Sequence, residues 1–236
     1  MNSKRLPGKT MLEISGKPII QHIFDRLSSC KKLQSVVIST GPYKQNSEIF
    51  DYAENHHIPI FTGEEVDLID RFYKTALKFK ATAIVRITGD CPLVDPQIVD
   101  KMVTIYEQNI SKYDIITNCQ KHSFPHGLDI EIFSFDVIKK LWEEVDELEY
   151  REWFTLFIKK NFESFKIYNL ENQINLSDLR LTLDYEEDFE LIKKIFENFN
   201  SNLFYLNDIV ELFERYPEMK KINEVYQNHR NIDAPR

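Results

Sequence analysis

Three observations predict an α/β fold, a mainly parallel mixed sheet flanked by helices. Short β-branched runs alternate with helical stretches through the first hundred residues, two separate apolar runs each end in an acid, and a basic turn lies near the start of the chain. Open α/β sheets gather their chemistry at the ends of strands, so the two acids mark where to look.

The elements follow in order. Ile19, Ile20, Ile23, Phe24 and Leu27 recur at helical spacing, and SVVIST (35–40) reads as a buried strand. Ile49, Phe50 and Ala53 mark a second helix, IPIF (58–61) a strand, and Leu68, Ile69, Phe72, Tyr73, Ala76 and Leu77 a third helix. The strand at 83–87 leads to Asp90. Asp95 before Pro96 is a cap with proline at the first helical position, and the helix it opens carries Val99, Met102, Val103 and Tyr106 on its apolar face. Two further runs, YDIITN (113–118) and LDIEIFS (128–134), point to a mixed sheet or β excursion. Helices are expected over 137–145 and 149–160, strands over 165–170 and 179–183, and helices through the last fifty residues.

At 236 residues, 42% hydrophobic and 29% charged, the chain can bury a sizeable core. Its net charge of −8 argues against a general nucleic-acid surface, so any polyanion must meet a local basic patch. Cys30, Cys91 and Cys119 show neither CxxC spacing nor a paired histidine pattern, and His122 and His126 lack a third ligand at zinc spacing. A reducing cytoplasm is the expected setting, with no membrane attachment, since no apolar run approaches the roughly 18 residues needed to span a bilayer. Neither GxSxG nor GxxxxGK[ST] is present, which weighs against a serine hydrolase or a P-loop NTPase.

Asp90 in IVRITGDCPLVDP (84–96) follows Gly89, where a ligand can approach the backbone. An acid at that place is ordinarily a helix cap or a metal ligand, and since Asp95 is the better cap the metal reading of Asp90 gains. Asp184 in LRLTLDYEEDFE (179–190) is read the same way, with Glu186, Glu187 and Asp188 complementing the dipole of the next helix. Two acids delivered by separate strands can share one hard cation, and SKRLPGK (3–9) offers Lys4, Arg5 and Lys9 around a Pro-Gly turn to hold phosphates; a solvated basic terminus is the bland alternative. Arg71 and Arg86 have pairing with a neighbouring acid as their ordinary fate. Asp129 and Glu131 share one face of a strand, suited to sugar hydroxyls or to solvent.

In order along the chain, SKRLPGK, GKPII (16–20), GEEVDLIDRFYKTA (63–76), VRITGDCPLVDP, FPHGLDIEIF, YREWFT (150–155) and LTLDYEEDF resemble the cytidylyltransferases that activate acidic sugars, the CMP-KDO and CMP-sialate synthetase group, and most of all their spore coat polysaccharide biosynthesis protein F branch. The resemblance implies a GT-A-like, Rossmann-like nucleotidyltransferase fold that uses Mg²⁺ and CTP to form a CMP-sugar and pyrophosphate, for surface polysaccharide or glycan biosynthesis. It further implies Arg5, Lys9 and Asp90 as catalytic residues, with Ser3, Arg5, Lys9, Arg71, Arg86 and Gly89 at the nucleotide. Gly127, Asp129, Glu131, Arg151 and Glu152 would lie toward the sugar, and Asp90 and Asp184 would ligate the metal. Such an enzyme needs no protein nucleophile, and its partners would be CTP and a small sugar, with room for a homodimer.

Two departures from the family pattern stand out. A phosphate-holding loop normally follows a strand that aims it at the ligand, yet here it begins within a few residues of Met1; the expectation is one nucleotidyltransferase domain over 1–236, truncated so that the first strand is missing. Trp153 stands where the family often has histidine. The alternatives are another nucleotidyl- or glycosyltransferase on the same fold, or a truncated member that binds nucleotide without turnover.

Overall fold

The computed structural model describes residues 3–229. A tight hairpin comes first, β1 (Glu13–Ile14) against β2 (Lys17–Pro18), with Ser15 and Gly16 both at positive φ as a primed two-residue turn requires. Helix α1 (Ile19–Ser28) follows directly. The next strand, β3 (Ile38–Thr40), is half the length of the SVVIST run; it connects through α2 (Tyr43–Asn55) to β4 (Ile60–Thr62), with which it pairs in parallel. Helix α3 (Leu68–Phe79) begins at Asp67, whose carboxylate caps the Asp70 amide.

Then comes β5 (Ala83–Arg86), followed after the Asp90 turn by α4 (Pro96–Gln108). Asp95 caps that helix through the amides of Gln97 and Ile98, as its place before Pro96 predicts. The two central runs form β6 (Ile115–Thr117) and β7 (Glu131–Ser134), and α5 (Phe135–Glu144) leaves β7 at the Ser134 cap. The helix expected over 149–160 is broken into α6 (Leu148–Glu152) and α7 (Phe154–Lys160), because Trp153 adopts φ −111°, ψ 51° and cannot continue the helical ladder. Strand β8 (Ile167–Asn169), then α8 (Glu186–Glu197), α9 (Leu206–Arg215) and two 3₁₀ turns complete the described chain.

The main sheet is mixed, in the order β5-β7-β6-β8: β7 runs antiparallel to both its neighbours, and β8 parallel to β6. Period-two alternation buries both of its faces. Ile116 and Ile132 point into a core built from α1, α4, α8 and α9, while Ile115 and Phe133 point into a second core built from α3, α5 and α7. Helices on both faces are thus what the doubly apolar strands demand. The β3–β4 pair has a small core of its own with α2, from Ile38, Ile49, Ala53, Ile58 and Ile60.

Among the described residues, no ladder joins β3–β4 to the main sheet. A cleft of about 250 Å³ lies between them, with residues 36–41 on one side, 87–89 on the other and α1 below. The strand expected over 179–183 also differs. It is an extended segment with a single parallel bridge, His126 to Arg180, tied otherwise by the Leu181 amide to the His126 carbonyl and the Leu183 amide to the Asp90 carbonyl. Its neighbours are loops rather than strands, so it has no regular ladder to join.

Candidate active site

The 3–9 loop is shaped by its own backbone. Ser3 Oγ accepts the Leu6 amide, Leu6 is buried, and Gly8 takes φ 69° so that the chain can enter a 3₁₀ turn over Lys9–Met11. That turn sends the Lys9 side chain inward. Its Nζ donates to Asp90 Oδ2 at 3.1 Å, Asp184 Oδ1 at 2.9 Å and the Leu183 carbonyl at 2.7 Å. Acids that are 94 positions apart in sequence therefore meet around one nitrogen. Arg5 adds a second cation, its Nη2 2.7 Å from Asp184 Oδ1 and its guanidinium 5.2 Å from the centre of the Tyr185 ring. Lys4 is exposed.

Charge compensates burial at each of these groups. Burial alone would raise the Asp90 carboxyl, yet the Lys9 charge and hydrogen bonds from Thr88 and Lys9 hold it well below the usual carboxylate range. Asp184 is also lowered: burial and the neighbouring Asp90 oppose, and Lys9 and Arg5 prevail. Lys9 is raised, because the two acids outweigh its desolvation.

Asp184 is held from behind. Arg180 forks onto Asp188 at 2.8 and 2.7 Å, and Asp188 accepts the backbone amides of Asp184 and Tyr185 at the start of α8. Asn223 donates to the same Asp188 from the C-terminal turns. Asp188 is a helix-start acid as expected, but it is also the anchor of the Asp184 turn.

The other site residues divide. Gly89 and Arg71 line the cleft beside the acids, together with Thr40, Gly41, Glu65 and Thr88. Arg71 donates through Nη1 to the Glu64 and Glu65 carbonyls, while its buried Nε has no hydrogen-bond partner among the described residues. Arg86 and Glu131 are directly opposed across β5 and β7 and form an ion pair, the ordinary fate of a strand arginine. Glu131 is nonetheless raised by burial, with Asp129 adding to the effect and Arg86 opposing it. Asp129 accepts the Gly127 amide at 3.3 Å.

Two sugar-side expectations acquire structural duties. Gly127, at φ 102°, passes so close to the backbone of 181–182 that an added Cβ would lie 2.4 Å from the Thr182 nitrogen. Arg151 is committed to Asp67 at 2.7 Å and to the Val145 carbonyl at 2.6 Å, fastening α6 to the start of α3. Glu152 is half-buried at the end of α6. Sequence reasoning passed over Thr88, which hydrogen-bonds Asp90, and Tyr185, which lies under Arg5. The only signal for either was its place within two residues of an acid already singled out.

Among the described residues, no cluster of three or more His, Cys, Asp or Glu side chains forms a ready metal cage. The donors that do converge are two carboxylates and a carbonyl, gathered round an ammonium that stands in for a cation. That set suits Mg²⁺, which typically takes one or two carboxylates and completes its shell with water and substrate phosphates. A basic loop over two converging acids, with a cleft alongside, is the arrangement of a nucleotidyltransferase.

The chain belongs to the cytidylyltransferase family, whose model matches residues 1–232. Its structure is similar to that of a cytidylyltransferase from Leptospira borgpetersenii serovar Hardjo-bovis, with a TM-score of 0.89 and 33% identity over 93% of this chain and 92% of that one. In sequence it is 28% identical to the spore coat polysaccharide biosynthesis protein SpsF of Bacillus subtilis, over 92% of each chain. The fold is shared with a CMP:2-keto-3-deoxy-manno-octonic acid synthetase solved with CTP, at a TM-score of 0.62 and 16% identity over 83% of this chain and 94% of that one. No helix among the described residues is long and apolar enough to cross a membrane.

Proposed function

We propose that the enzyme transfers CMP from CTP to an acidic or related sugar with release of pyrophosphate, in the cytoplasm and in the service of surface polysaccharide or glycan synthesis. The observation that carries this reading is the meeting of Asp90 and Asp184 round one buried cation beneath the 3–9 loop. Arg5 and Lys9 would hold the triphosphate, with the Gly8 turn letting the phosphates approach the backbone. Asp90 and Asp184 would hold Mg²⁺, which when bound neutralises phosphate charge. The sugar hydroxyl attacks the α-phosphorus and pyrophosphate leaves, so the work of this chain is positioning and charge stabilisation.

The cleft favours a cytosine base. Glu65 and Arg71 line it together, a carboxylate that can accept from the cytosine amino group beside a guanidinium whose buried Nε–H still needs an acceptor. Uracil would present a carbonyl to Glu65 instead. On the sugar side Asp129 and Glu131 lie on one face, as hydroxyl recognition needs. The three cysteines are free, in keeping with a reducing compartment.

The open cleft between β3 and β5 favours a second reading, in which the chain binds nucleotide without turning it over. Pyrophosphate release, measured with CTP, UTP, ATP and GTP over a panel of 2-keto-3-deoxy sugar acids, separates the two. The expected result is turnover with CTP and a divalent ion. CTP binding without pyrophosphate release favours the second reading, and equal stabilisation by all four nucleotides removes the first.

A further inference from the structure

The cation seat between Asp90 and Asp184 belongs to Lys9. Its ammonium touches both carboxylates and the Leu183 carbonyl, the same three oxygens a hard cation would use there. Lys9 and Asp184 are both largely withdrawn from solvent, their side chains 13% and 7% exposed. Arg5 presses on Asp184 from a further direction. A divalent ion arriving alone must therefore expel an ammonium that is already paired, leave that ammonium without a counter-charge, and approach beside a guanidinium. Like-charge crowding and the loss of two close ion pairs both oppose it.

A polyphosphate changes the balance. Lys9 hangs from a 3₁₀ turn at the end of the basic loop, so its flexible stem can swing from the acids to a phosphate without moving the backbone. The vacated oxygens then face a cation that the same phosphates help to bind. We propose that Lys9 is the resident counter-ion of the metal site, and that divalent metal and nucleoside triphosphate enter as a coupled pair, the triphosphate drawing the ammonium away as the metal takes its seat. The proposal rests on the cytidylyltransferase reading and adds to it a new role for Lys9, as the gate on metal affinity.

The test is Mn²⁺ binding, followed by electron paramagnetic resonance of the free ion, with and without CTP and with no sugar present. Nucleotide-free wild-type protein should bind Mn²⁺ only weakly, and Lys9→Met should bind it about tenfold more tightly or better, since the competing charge is gone. CTP should raise Mn²⁺ affinity in the wild type by a larger factor than in the variant. Where Lys9→Met fails to fold by circular dichroism, Lys9→Gln keeps a polar group for the Leu183 carbonyl and serves instead. The wild-type arm also stands alone: micromolar Mn²⁺ binding without nucleotide overturns the proposal, as does equal affinity in wild type and variant. Either result alongside normal CTP binding leaves the cytidylyltransferase reading intact. If CTP binds neither protein, with or without Mn²⁺, that reading fails and the proposal with it.

Discussion

The main sheet and the β3–β4 pair are built from similar residues, yet the first is stitched across four strands and the second stops at two. In the order β5-β7-β6-β8 each strand has a hydrogen-bonded neighbour and both faces are covered by helices. Across the cleft, β3 and β4 pair only with each other and share a small core with α2. The acids Asp90 and Asp184 sit on the continuous side, whereas the residues that line the cleft come from both. On the proposed reading, the difference teaches that the half of the site built round Asp90 and Asp184, for metal and phosphate, is fastened to the sheet, while the half for the base depends on how two separate pieces face one another.

The sharpest way to test the stitched side is at the acids. Asp90→Asn should lower turnover by about 10²–10³-fold or more, as loss of a preorganised charge does, and should lower the melting temperature as well, because Lys9 loses one of its two buried partners; pyrophosphate release and a thermal melt together check it. Next in size is Arg26, fully buried on α1, which donates to the carbonyls of Val94, Asn202 and Phe204. Arg26→Ala strands three acceptors and should cost about 3 kcal/mol or more in urea unfolding. Burial lowers this guanidinium to about 10.

Gly127→Ala is expected to cost about 2–3 kcal/mol, because φ 102° and the contact with 181–182 both exclude a side chain. It should also raise the metal concentration needed for activity, since the 181–183 segment carries Asp184. Urea unfolding with a metal titration reads both effects.

The smallest effect is with pH. Asp90 and Asp184 are lowered in the folded state, so their contribution is full above about pH 4 and is lost as pH falls further. Lys9 is raised, so its share persists below its ordinary value and is lost as pH rises through the higher folded one. Wild type should therefore lose stability faster than Asp184→Asn below about pH 4 in acid unfolding.

Much of this was legible in the residues because it rests on local chemistry. The Asp95-Pro96 cap, the apolar face of α4 and the doubly apolar β6 are set by spacing alone, and Asp90 and Asp184 were marked by what precedes them. What escaped depends on contacts distant in sequence. Arg151 reads as a site residue until Asp67 takes it, Gly127 as a turn until its contact with 181–182 is seen, and the 149–160 helix as continuous until Trp153 interrupts it. No periodicity reports which loop a side chain will meet eighty positions away.

The bond from Asn223 to Asp188 sets a timetable for the newborn chain. Asp90 can take its place in the turn after β5 once β7 has been made, but the turn that presents Asp184 gains its last fastening only when the residues around 223 have left the ribosome. An enzyme clipped just beyond α9 would keep both acids, both cations and the whole sheet. The loss would surface about thirty residues upstream of the cut, as an Asp184 that wanders.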